Sequence, residues 1–171
     1  MFKKLSTYIL IIMLSFAASA SEDSISQFTY GYLKRVNDFL SEGDYENAEK
    51  ELSIISKRYF LNEQSYERSL INQLWGNLYA TIGDYQKAID SYEASLRFRK
   101  IPLITNLQVR ANLAQCYFQT KDFDKVIETL LTYKNIAEQR GQEFSPQNMI
   151  LLGIAYYLSL IHISEPTRPR S

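Results

Sequence analysis

Side chains able to do covalent or acid–base chemistry are few and scattered in this 171-residue chain. Cys116 is the single cysteine, so no intramolecular disulfide is open to it. It lies beside Tyr117 in an apolar helical stretch, where a small buried hydrophobe is the expected role rather than a reactive thiol. His162 is the single histidine and falls near the end of the chain, which leaves the body without the commonest general base and metal ligand. The sequence has no Cys/His cluster, Gly-rich phosphate loop or Ser-centred elbow. Asp44, Asp84 and Asp122 each stand between two helical stretches, where a carboxylate caps the second. Arg97, Arg99 and Lys100 gather at a helix end, where cations complement the helix dipole. None of these residues gives a catalytic, cofactor-binding or metal site. What remains is amide chemistry. Asn and Gln carry both donors and an acceptor, so a row of them can pair with the backbone of an extended peptide.

The elements that would position such a row show themselves by repetition. Gly43-Asp44-Tyr45, Gly83-Asp84-Tyr85 and Lys121-Asp122-Phe123 each separate two amphipathic stretches. A second phrase keeps step: Trp75-Gly76-Asn77-Leu78-Tyr79, Leu113-Ala114-Gln115-Cys116-Tyr117 and Leu152-Gly153-Ile154-Ala155-Tyr156. Gly76, Ala114 and Gly153 lie 38 and 39 residues apart, and a period of that size means a solenoid of stacked units. In the clearest unit, apolar residues three and four apart run from Leu70 to Tyr79 and predict a first helix. Gly83 supplies the positive φ that ends it and Asp84 caps the next. Ala88, Ile89, Tyr92, Leu96 and Phe98 give the second helix one apolar face, and Pro102 closes the unit. Gly76 and Ala88 are small where two helices must approach closely.

Trp75-Gly76, Tyr79, Gly83-Asp84-Tyr85, Ala88, Tyr92 and Pro102 together resemble the tetratricopeptide repeat. The resemblance implies an all-α fold, a right-handed superhelix of stacked antiparallel helix pairs. Its units run approximately over 29–62, 69–102 and 107–140, with a partial fourth over 146–157, inside a domain spanning 21–157. The usual period is about 34 residues, so extra residues fall at the junctions 99–104 and 139–146. The first unit departs from the pattern, with Val36 where a small residue belongs. The family's register places Tyr30, Asn37, Gln73, Asn77, Gln108, Asn112, Gln115, Phe118 and Gln119 on a concave, peptide-binding face, with Leu33, Leu40, Leu70, Thr81 and Ala111 between them. Trp75 and most other aromatics read as core, with Tyr30 and Phe118 directed toward the groove. A carboxylate clamp of the chaperone-tail kind does not fit. Of its five positions only Asn37 matches, with Leu33, Leu74, Gln108 and Asn112 at the others. The implied role is a non-catalytic scaffold for a protein or peptide partner, without cofactors.

The two ends read differently from the repeats. Lys3 and Lys4, the apolar run from Leu5 to Phe16 and Ala18-Ser19-Ala20 make residues 1–20 a signal peptide, leaving the rest periplasmic and without a membrane span, with an uncleaved inner-membrane anchor as the alternative. Residues 158–171 break the repeat and resemble a translated sequencing adapter, a non-native tail. Setting aside Lys3, Lys4, Arg168 and Arg170 leaves 15 basic residues, and setting aside Glu165 leaves 18 acidic ones, a net charge of about −3. That balance does not suit nucleic acid. Ser95-Leu96, Ile101-Pro102, Asn112-Leu113-Ala114-Gln115, Asp122-Phe123, Ile127-Glu128-Thr129-Leu130-Leu131 and Ser145-Pro146 are similar, in that order, to exported repeat proteins accompanying TonB–ExbB–ExbD systems. Such a likeness implies an accessory of TonB-dependent energy transduction. An adaptor in secretion or outer-membrane assembly, and the docking repeats of a larger signalling protein or enzyme, stay open as alternatives. The last helix, from Gln147 to Leu158, is expected to expose an apolar face.

Overall fold

Short polar residues start most of the helices, and left-handed residues end the first helix of each complete pair. The structure, a computed structural model, describes residues 25–58, 65–98 and 101–164. The signal expected over 1–20, and positions 165–171 of the expected tail, lie outside these. Among the described residues are seven helices and no strand: α1 (Gln27–Glu42), α2 (Tyr45–Arg58), α3 (Tyr66–Ile82), α4 (Tyr85–Leu96), α5 (Leu103–Gln119), α6 (Phe123–Gln139) and α7 (Pro146–Ser164). The hydroxyls of Ser26, Ser65 and Ser145 accept the Thr29, Arg68 and Asn148 N–H groups at 3.1–3.3 Å. Asp44, Asp84 and Asp122 do the same for the Asn47, Lys87 and Lys125 N–H groups. Only α5 starts without a side-chain cap, behind Pro102, whose fixed φ suits a helix start.

Within each complete helix pair a single left-handed residue turns the first helix back into the second. At Gly43 (φ 77°) and Gly83 (φ 86°) the chain enters the left-handed region. There the Gly43 and Asp44 N–H groups bond the Leu40 and Phe39 carbonyls, and those of Gly83 and Asp84 bond Ala80 and Tyr79. Those paired bonds satisfy carbonyls the helix itself cannot. The third turn has the same bonds, from Lys121 to Phe118 and from Asp122 to Tyr117, although Lys121 holds φ 64° with a side chain.

The helices form two compact units, α1–α4 and α5–α7. In the first, α1 packs on α2 and α3 on α4, while α3 also packs on α2 and α1. Its core draws on Val36, Leu52, Ile55, Ile71 and Leu78, all essentially inaccessible. The large Val36 is thus accommodated inside the first pair. In the second unit, α6 packs on both α5 and α7 and buries Val126, Leu130 and Ala137. Helix α7 buries Asn148 and Ala155 but exposes Ile150, Ile154, Tyr157 and Leu160. It runs unbroken past Tyr157, the position at which the repeat pattern stops.

Candidate protein-interaction surfaces

At Gly76 helix α3 can lie close against α4. A Cβ there would lie 2.5 Å from Cε1 and 2.9 Å from Cγ of Tyr92, so α3 lays bare backbone against the ring. Tyr92 is fully buried and donates its hydroxyl to Asn77 Oδ1 at 2.7 Å. Nearer the open end of this helix pair, Ser69 Oγ donates to the Ser95 carbonyl (3.1 Å) and Ser95 Oγ to the Ser69 carbonyl (2.9 Å). On the other side, Trp75 Nε1 donates to Ser56 Oγ (2.9 Å) and its ring stacks on Tyr79 at 5.4 Å, tying α3 to α2. Trp75 is therefore a packing residue.

This packing decides which amides of the first unit remain open. Gln73 is only 2% exposed, and Asn77 is engaged by Tyr92. Leu33 and Leu70 are also buried. The register transfer implies solvent-facing positions, and Gln73, Leu33 and Leu70 are not so placed. The cause is that α3 buries residues on every side, including Leu70, Ile71, Gln73, Leu74 and Leu78, as a helix packed on several neighbours must. Of the expected positions in the first unit, Tyr30 on α1 and Thr81 on α3 are exposed, and Asn37 is half-buried. Tyr30 adjoins an aromatic ladder of the same helix. Phe28 and Tyr32 lie 4.9 Å apart, with the Arg58 guanidinium over Phe28 and that of Arg35 over Tyr32.

In the second unit the expected residues form one stripe. Gln108, Asn112, Gln115 and Gln119 are spaced four, three and four apart on α5, hence on one face. Gln119 is exposed, while Gln108 and Gln115 are half-buried. Asn112 is 3% exposed and departs from a solvent-facing placement, since α5 too is packed widely around its circumference. Its Nδ2 has no hydrogen-bond partner among the described residues, and an unmade bond at a buried donor costs about 1–3 kcal/mol. Phe118 is half-buried, its ring edge-on to Phe123 at 5.8 Å, which draws it into the α5–α6 turn.

Arg110 escaped the sequence reading. It is half-buried, its Nε donates to Asn106 Oδ1 at 2.9 Å, and burial lowers its pKa below the usual guanidinium range. Its ordinary helical spacing from Asn106 carries no signal that would single it out. Cys116 is buried and its thiol is pushed up to about 12, which removes the thiolate needed for nucleophilic chemistry. Among the described residues no three His, Cys, Asp or Glu side chains are grouped to hold a metal, and no helix is long and apolar enough to cross a membrane.

The family model of the tetratricopeptide repeat matches residues 71–100. That span covers most of α3, the Gly83-Asp84 turn and α4, the pair closed by Gly76 and Tyr92. This segment matches one tetratricopeptide repeat. The seven described helices and their consecutive packing fit an all-α solenoid of the tetratricopeptide-repeat kind. No curated protein matches the chain. Tetratricopeptide repeats are scaffolds for protein–protein interaction, and the amide stripe of α5 supplies chemistry suited to a polypeptide.

Proposed function

We propose that this chain is an exported, non-catalytic adaptor that holds an extended segment of a partner protein against α5. The observation that carries the reading is the stripe of accessible amides on one face of α5, Gln108, Gln115 and Gln119, which flank the buried Asn112. Each amide can accept a backbone N–H and donate to a backbone carbonyl, which binds a peptide through its main chain whatever its side chains.

The location and partner follow from the ends of the sequence and from its likeness to exported repeat proteins of TonB–ExbB–ExbD systems. Lys3, Lys4, the apolar run to Phe16 and Ala18-Ser19-Ala20 support export to the periplasm. The series from Ser95-Leu96 to Ser145-Pro146 supports an accessory role beside TonB. Tagged chain is to be captured from envelope extracts and probed for TonB and ExbB. Their recovery, reduced by the triple change Gln108→Ala, Gln115→Ala and Gln119→Ala, is the expected result. Recovery of secretion or outer-membrane assembly proteins instead would remove the TonB assignment and leave the adaptor. Residues 158–171 we read as non-native, and a long DNA read across the gene decides that point.

A further inference from the structure

Resting on the reading of α5 as the partner-binding face, we propose that this face selects its segment by a spacing rule. The segment carries two apolar side chains six residues apart, one seated at Ile104 and the other at Phe118. The two side chains between them that also point at the helix are uncharged, and those on the alternate positions, turned to water, are unconstrained.

The open face of α5 does not depend on where the sequence ends, since α6 packs on α5 and α7 packs on α6. At 3.6 residues per turn, Ile104, Ala111 and Phe118 fall on the same side as Gln108, Gln115 and Gln119. Ile104 is 64% exposed, and Ala111 and Phe118 are half-buried. The matching places in α3 are closed, because Leu70 and Gln73, which stand where α5 has Gln108 and Ala111, are buried. Arg110 is the one charged residue between Leu103 and Gln119. It stands about 200° around the helix from Gln108, with its Nε bonded to Asn106. The open side of α5 is therefore an uncharged surface of three amides with an apolar residue toward each end.

Distance sets the spacing. Ile104 and Phe118 are fourteen residues apart, about 21 Å along a helix that rises 1.5 Å per residue. An extended chain covers about 20 Å in six residues, and an even step turns both side chains to the same face. Ala111 stands midway, opposite the third residue along, whose own side chain points away. The short alanine side chain lets the main chain approach there, with Gln108 and Gln115 on either side to bond it. A charged side chain at the second or fourth place would be turned into this uncharged surface and lose water without gaining a partner.

The probes are three fluorescein-labelled, end-capped peptides of one composition, titrated into the full chain by fluorescence anisotropy. Gly-Leu-Lys-Ser-Thr-Ser-Glu-Leu-Gly obeys the rule. Gly-Leu-Lys-Ser-Thr-Ser-Leu-Glu-Gly shortens the step between leucines to five, and Gly-Leu-Ser-Lys-Thr-Glu-Ser-Leu-Gly moves both charges onto the side facing α5. Saturable binding of the first is expected, about tenfold tighter than that of either isomer. Ile104→Ser is expected to weaken the first about tenfold and to remove its advantage over the five-step isomer, with an unchanged circular dichroism spectrum. The triple change in the α5 amides is expected to weaken all three peptides. Equal binding of the three, still weakened by the triple change, would overturn the spacing rule and leave α5 as a main-chain binder. Binding indifferent to both the triple change and Ile104→Ser, or no binding by any peptide, would overturn the rule together with the reading of α5.

Discussion

Gly76 is worth more to this fold than its size suggests. Alanine would be the better helix former by about 1 kcal/mol, yet its methyl group would overlap the Tyr92 ring, which is enclosed on all sides. Overpacking of this kind costs about 1–3 kcal/mol, so Gly76→Ala is expected to destabilise, as urea unfolding will show. Adding Tyr92→Leu is expected to recover part of the loss, since the second unit combines Ala114 with Leu130 at the corresponding positions. Lys121 poses the opposite case. It holds φ 64° at the turn where Gly43 and Gly83 stand in the first two pairs. A non-glycine residue in that region costs about 1 kcal/mol, so Lys121→Gly is expected to raise stability by about that amount. An unchanged urea midpoint would mean that interactions of the lysine side chain offset its strain.

At the scale of elements, the turns carry a dependence on pH. The Asn47 side-chain amide and backbone N–H hold the Asp44 carboxyl below its ordinary value of 3.8. Lys87 does the same for Asp84, through its side chain first and its backbone N–H second. For a carboxyl lowered by folding, the stabilisation is complete above the unfolded value and fades as pH falls through the folded one. Both contributions are therefore present at neutral pH and lost below about pH 4. Asp44→Asn with Asp84→Asn is expected to flatten the fall in melting temperature between pH 5 and pH 3, with the first helix pairs still capped by an amide oxygen. An equally steep acid limb in the double variant would place the sensitivity elsewhere. The two Asp turns behave alike because each couples the end of one helix to the start of the next through adjacent residues.

Across the whole molecule, burial is uneven, and protection from hydrogen exchange is expected to follow it. Amides of α3 and α4, around Ile71, Leu78 and Tyr92, are expected to exchange most slowly, and those of α7 most quickly. Uniform protection would contradict the exposure of the last helix. That exposure was legible in the sequence, because Leu151-Leu152, Ile154 and Tyr156-Tyr157 put apolar residues on more than one side of a helix. So were the repeat period, the Gly-Asp turns, the caps and the small residue at Gly76. All of these depend on contacts within a few residues or on a backbone angle that few residues adopt, and such constraints are written locally. The open polar surface was not written there. Gln73 and Asn112 look like exposed amides by register, and Asn77 like a recognition residue, until the neighbouring helices are placed. Then Gln73 and Asn112 are enclosed, Asn77 serves the Tyr92 hydroxyl, and Arg110 emerges as a desolvated cation. The sequence by itself determined that this protein is built of helix pairs and where each pair turns. Only the tertiary structure decided which polar side chains are left for a partner, because burial depends on atoms brought close from elsewhere in the chain.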